Sequence, residues 1–197
     1  MARRSTEAQG ARSQTSSKVT YEKGCELLGD DRSGFPEAVA AAAQADVAVV
    51  VLGGRSGLHK SSTVGEARDA TDLRLSGVQE ELVAAVAATG TPTVLVVMSG
   101  RAHVLSDVAD RVQALLVAAP LGEQGGNALA DVVLGRAEPT GRLAVTLSRS
   151  TGQMPLYSSH RSGAGVRSFM VTTPIVATPP SSVSATASGI RRSVIPT

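Results

Sequence analysis

Glu66 stands between Gly65 and Ala67 in the stretch SSTVGEARDATDLRLSG, residues 61–77, and Arg68, Asp69 and Asp72 follow closely behind it. A loop carboxyl becomes a proton donor when a second surface closes over it. Desolvation disfavours the charged form, the pKa climbs toward neutrality, and the group can serve as a general acid. On spacing alone, a solvated loop glutamate is the commoner occupant of such a place. Arg68 and Asp69 are expected to pair or to hold the loop, and Asp72 to serve as a turn or cap residue.

Few other chemistries find their residues. No GxGxxG follows a first strand and no GxxxxGK[ST] occurs. Gly125 and Gly126 sit at a strand-to-helix junction that would admit an anion, but Glu123 beside them would repel a phosphate. A nucleotide-binding protein is therefore the weakest of three readings. His59, His103 and His160 lie far apart with no carboxylate or cysteine at ligand spacing, so no metal and no other cofactor is assigned. Neither Ser56 nor Ser99 sits in a GxSxG elbow. Cys25, the one cysteine, excludes an intrachain disulfide, lacks a partnering motif and is expected to be inert. Glycoside hydrolysis needs two carboxyls flanking one bond. The sequence offers one good candidate loop and no convincing second.

The elements that position this loop alternate. FPEAVAAAAQA (35–45) is expected as a helix, with Ser33 as N-cap and Pro36 near the first turn. VAVVVLG (47–53), PTVLVVMSG (92–100) and VQALLVAA (112–119) are continuous apolar runs, the pattern of strands buried on both faces. GVQEELVAAVAATG (77–90) reads as a helix closed by Gly90, and NALADVVLG (127–135) as a helix ending in glycine. VTYEKG (19–24) and GRLAVTL (141–147) are expected as a first and a last strand. This alternation makes an α/β fold with a parallel sheet and helices on both faces. Functional groups then gather past the carboxyl ends of the strands, in the loops 53–76, 99–106 and 120–126.

The 197 residues suffice for one ordinary domain. Aromatics make up 2% and tryptophan is absent, so a stacking platform for a sugar ring must come largely from elsewhere. The formal charge of +2 is split: residues 19–160 carry eleven basic and sixteen acidic side chains, net −5, and the basic excess lies at the two ends. Those end charges are sparse, so solvated tails are expected and no nucleic-acid partner. Residues 1–17 have no periodicity, and the stretch from about 168 is rich in Ser, Thr and Pro; both are expected to be disordered. No secretory apolar region follows the N-terminal arginines, and no run approaches the ~20 residues of a membrane helix. A cytoplasmic protein with no membrane partner is expected.

Seven segments carry a resemblance: VTYEKGC, ADVAVVVLGGRSG, TVGEARDATDLRLSGVQEELV, GTPTVLVVMSGR, GEQGGNALADVVLG, TGRLAVTLSRSTGQMPLY and SSHRSG. In this order they resemble the C-terminal α/β-sandwich domain of family 3 glycoside hydrolases, the β-glucosidase and β-xylosidase group. The resemblance implies a three-layer α/β sandwich with a mostly parallel sheet over residues 18–165, incomplete at its C-terminus, flanked by a leader (1–17) and a tail (166–197). It implies that Glu66 is the acid/base, with Arg68 and Asp69 positioning its loop, in hydrolysis of β-linked glucosides or xylosides. It further implies a nucleophilic aspartate on a preceding (β/α)8 barrel, with the active site between the two bodies. The 17 residues before Lys18 hold no barrel, so negligible turnover is expected of the chain alone, and a separately encoded barrel is the partner expected. The alternative is a non-catalytic interaction module of the same fold. Several positions depart from the family pattern: Ala70 for Arg, Ser76 for Pro, Ala102–His103 for Pro-Leu and Leu147–Ser148 for Phe-Pro. Fewer loop prolines leave more freedom in the unfolded chain.

Overall fold

Ala48–Gly53, Thr93–Met98 and Ala114–Ala118 form strands β1, β2 and β3 in a computed structural model that describes residues 18–155 apart from 142 and 144. The expected leader and tail lie outside the described residues. The strand sequences AVVVLG, TVLVVM and ALLVA carry no charge, so neither side of any strand suits water. They pair in parallel in the order β1-β2-β3, with Ala48 opposite Thr93, Gly53 opposite Met98, Val94 opposite Ala114 and Met98 opposite Ala118.

That register decides which side chains share a face. Ala48, Val50 and Leu52 line up with Leu95 and Val97, and with the half-buried Leu115 and Val117. This face packs against Ala42 of α1 (Phe35–Ala43), Leu82, Val83 and Val86 of α2 (Gln79–Ala87), and Val108 of α3 (Ser106–Ala109). The opposite face presents Val96 and Leu116 to Leu129 of α4 (Gly125–Val133), with Val51, Val94, Met98, Val132 and Val133 around them. Successive crossovers in one direction keep α2 and α3 on one face, and α4 covers the other, which makes three layers. Because α4 sits over β2 and β3, Val49 of β1 remains 45% exposed. No helix among the described residues is long and apolar enough to cross a membrane.

The stops of α2 and α4 follow their glycines, Gly90 and Gly135. Gly90 lies two residues beyond the α2 cap Ala88, has φ +79° and donates its N–H to Ala87 O at 3.1 Å. A Cβ there would meet nothing within 4 Å, so Gly90→Ala pays only for the left-handed backbone. The variant is expected to lose about 1–2 kcal/mol by urea titration with its far-UV circular dichroism unchanged. A midpoint equal to that of the native chain would refute it.

Three expectations are corrected. Ser33 does not cap α1: the N-cap is Gly34 with no side-chain bond, and the Ser33 N–H is itself accepted by Asp31 Oδ1 at 2.8 Å. Asp31 makes the local turn, which leaves the serine one residue outside the helix start. Pro36 does sit in the first turn. VTYEKG is no strand; it runs irregularly and turns at Gly24, φ +71°, where a Cβ would lie 2.6 Å from Leu82 Cδ2. The segment packs on α2 rather than along a strand edge, and a short alternating run without a ladder partner has nothing to hold it extended. The described residues of GRLAVTL likewise carry no ladder, and Val145 is 55% exposed.

Candidate functional site

The loop from Gly53 to Ser76 leaves the carboxyl end of β1 and is anchored at four places. Gln79, fully buried at the start of α2, pins its root: Gly53 N–H donates to Gln79 Oε1 at 2.8 Å, and Gln79 Nε2 donates to Gly53 O at 3.1 Å and Ser76 O at 2.9 Å. One amide side chain thus satisfies three backbone groups and brings both ends of the loop together.

The second anchor is the base of a finger. Thr63 and Val64 N–H both donate to Arg55 O, at 2.9 and 3.2 Å, while Arg55 N–H donates to Thr63 Oγ1 at 3.1 Å. Buried Val64 packs where Gly54 and Gly100 leave room, since a Cβ at those positions would lie 2.5 and 3.3 Å from its methyls.

Arg68 and Arg101 form the third anchor. Arg68 Nη2 donates to Leu58 O at 3.2 Å and His59 O at 2.8 Å, and its Nη1 to Ala67 O at 3.0 Å. Arg101, from the loop after β2, donates through Nη1 to Thr63 O at 2.9 Å and through Nη2 to Arg68 O. Arg68 Nε and Ser62 Oγ are buried in the same loop with no partner among the described residues.

The fourth anchor is His103, 3% exposed. Its Nδ1 lies 3.0 Å from Leu73 O, which can only accept, so the proton sits on Nδ1. Nε2 then accepts from Ser99 Oγ at 2.9 Å, and Ser99 Oγ in turn accepts the Arg101 N–H at 3.1 Å. Burial, reinforced by the nearby Arg101 cation and partly offset by the bond to Leu73 O, pushes the imidazole pKa down. The folded state therefore favours neutral His103. Its stabilising share is fully present above the unfolded value of about 6.5 and is lost as pH falls below that value toward the lower folded pKa. The native chain is expected to lose urea resistance between about pH 7.5 and 5.5 relative to His103→Gln. Asp72, held at about 2 chiefly by Arg74, stays charged throughout that window. Parallel titration curves for the two proteins would contradict this assignment.

Glu66 is exposed at the carboxyl edge of the sheet, in the turn between Gly65, φ +112°, and Ala67, φ +54°. Its carboxyl accepts no hydrogen bond from any described residue. Arg68 bonds within the loop, to Leu58 O and His59 O, and makes no ion pair with Asp69, which is exposed. Asp72 is a turn residue: it accepts the Arg74 N–H at 3.0 Å, pairs with the Arg74 guanidinium at 2.7 Å and accepts from Thr151 Oγ1 at 3.2 Å. A depression of about 400 Å³ opens beyond it, lined by Thr71, Arg74, Asp107, Arg149 and their neighbours, and Glu66 is not part of it. Gly125 at the start of α4 is needed for packing, since a Cβ there would lie 2.4 Å from Leu121 Cβ. No group of acidic, histidine or cysteine side chains among the described residues could hold a metal ion. The Cys25 thiol is half-buried and pushed up by desolvation, which keeps it protonated and unreactive. Gln79, Arg101 and His103 carry no sequence signal as a site; the SGR following a buried strand was the only hint.

Residues 2–176 match the glycosyl hydrolase family 3 C-terminal domain. A β-xylosidase of Formosa agariphila is 37% identical over 163 residues, 80% of this chain and 22% of that protein. A periplasmic β-glucosidase of Salmonella typhimurium is 42% identical over 63% of this chain and 16% of its own length. Among solved structures, a β-glucosidase from Erythrobacter marinus superposes with TM-score 0.72 at 33% identity, over 85% of this chain and 26% of that one. A glucose complex of the Listeria innocua β-glucosidase gives TM-score 0.65 at 29% identity over 76% of this chain and 22% of that one. The chain spans about a fifth of the length of the two curated relatives, 22% and 16%. With the sandwich, the order of its loops and the match over most of its length agreeing, this chain belongs to the C-terminal domain family of glycosyl hydrolase family 3.

Proposed function

We propose that the chain supplies the acid/base, Glu66, for retaining hydrolysis of β-linked glucosides or xylosides, the nucleophile coming from a second body that closes on the carboxyl edge of the sheet. The observation that carries this is the state of Glu66: an exposed carboxyl without a hydrogen-bond partner among the described residues, on a turn whose flanks are tied by two arginines. Exposure by itself also fits a solvated glutamate; membership of the glycosyl hydrolase family 3 C-terminal domain family is what favours the acid/base reading. The names of the relatives, β-glucosidase and β-xylosidase, support the substrate class.

In this mechanism a carboxylate of the second body attacks the anomeric carbon while Glu66 protonates the leaving oxygen. Glu66 then takes a proton from water, which releases the sugar with net retention. Closure is what prepares the first step, since it brings the second body's carboxylate and Glu66 to the two sides of one glycosidic bond. Arg68 and Asp69 position the loop. Leu58, at the tip of the finger and 74% exposed, and Leu121, 41% exposed on the loop after β3, give the rim an apolar share suited to such a closure.

The test pairs the purified chain with the portion of the Erythrobacter marinus relative outside the matched domain and follows an alkyl β-glucoside and an alkyl β-xyloside, whose leaving groups need a proton. Neither portion alone is expected to turn over, the pair is, and Glu66→Gln in the chain removes the gain. Equal activity of the pair with the native chain and with the Glu66→Gln chain would end the proposal, as would robust hydrolysis by the chain alone.

A further inference from the structure

We propose that Arg101 is the positioning residue that sets where the Glu66 carboxyl stands, by gripping both flanks of the turn that bears it. Its use in catalysis rests on the acid/base role of Glu66; the grip itself does not. Arg101 Nη1 holds Thr63 O at 2.9 Å and Nη2 holds Arg68 O. Only Val64, Gly65, Glu66 and Ala67 lie between those two carbonyls.

Three observations make this a device rather than a chance contact. The turn is strained: Ala67, φ +54°, is the one non-glycine with a left-handed backbone among the described residues, and a residue stays there only when its surroundings over-determine it. The base of the arm is locked as well. Arg101 N–H goes to Ser99 Oγ, Ser99 Oγ to His103 Nε2, and His103 Nδ1 to Leu73 O, so the guanidinium is carried by bonds that start at the end of β2. Finally, the chemistry needs arginine. A planar fork holds two acceptors at a set spacing, whereas a lysine ammonium is a compact charge with rotatable donors and no fixed fork. The neighbouring Gly100 lets this loop press on the turn, since a Cβ there would sit 3.3 Å from Val64 Cγ1.

Nuclear magnetic resonance on the full chain tests it. In the native protein the Arg101 guanidinium is expected to give separate, slowly exchanging Nη signals. Arg101→Gln and Arg101→Lys are each expected to speed amide exchange at Thr63 and Val64, whose N–H groups donate to Arg55 O, by about tenfold or more and to lower the heteronuclear NOE of Glu66. The amides of Leu95, Val96 and Val97 keep their protection. Native exchange in Arg101→Gln would overturn the proposal. So would full rescue by Arg101→Lys, since a general cation would then suffice. Should both variants unfold, the native guanidinium decides: averaged, fast-exchanging Nη signals refute the grip and slow ones uphold it. Glu66→Gln separates this proposal from the catalytic one. Its guanidinium signals are expected to match the native chain, so persistent hydrolysis by that variant would remove the acid/base role and leave the grip standing.

Discussion

On the proposed acid/base role, Glu66→Gln is expected to slow the protein complemented with the second body about 10²–10⁴-fold on a β-glucoside with a poor leaving group, the usual share of a positioned general acid. That range corresponds to about 2.7–5.4 kcal/mol of lost transition-state stabilisation. Glutamine keeps the shape and removes the proton. An activated aryl leaving group departs with little protonation, so the step that forms the glycosyl intermediate is expected to suffer far less with such a substrate. The ratio of the two losses is the diagnostic, because a folding defect would lower both alike. Glu66 is exposed and unbonded among the described residues, so the melting curve of the variant is expected to coincide with that of the native chain. Equal losses on both substrates would mean that Glu66 does not deliver the proton.

Gly53→Ala is expected to be the most destabilising single methyl the site loop can receive. The residue ends β1 with φ +138°, and a Cβ there would fall 2.0 Å from Met98 O and 2.6 Å from Met98 C, both backbone atoms of the paired strand. No side chain can swing aside to admit it. Relief requires moving β1 off β2 or rotating the backbone at Gly53, whose N–H and C=O are both bonded to buried Gln79. Either path leaves buried polar groups unpaired, each worth about 1–3 kcal/mol. Together with the overpacking, a loss of about 3 kcal/mol or more follows, enough to leave much of the protein unfolded. Denaturant titration beside Gly90→Ala provides the scale, since both glycines have positive φ but only Gly53 is crowded. Similar midpoints for the two variants would show that the clash relaxes freely.

The two glycines mark how far sequence pattern reaches. Gly90 was legible as a helix stop because that signal is local: an apolar period that ends and a residue that tolerates positive φ. The three buried strands were legible for the same reason, since an uncharged run such as AVVVLG suits only a layer covered on both sides. With strands and helices alternating, the layered α/β arrangement and the carboxyl-edge position of the Glu66 loop followed. Where the local signal was ambiguous, reading failed. VTYEKG has an alternating look but no strand beside it, and Ser33 has cap chemistry that Asp31 pre-empts.

Legible in the residues alone are the layering, the glycine stops of α2 and α4 and the loop in which the candidate carboxyl lies. What holds that loop emerges only once the chain is folded. Gln79 reaches Gly53 across 26 positions, Arg101 reaches Thr63 and Arg68 across 38 and 33, and His103 reaches Leu73 across 30. Each of these bonds ends on a backbone carbonyl or N–H. Every residue has such groups whatever its side chain, so no residue type announces the acceptor. Which ones are available depends on φ and ψ at a distant turn and on the strand register that brings the two loops to one edge.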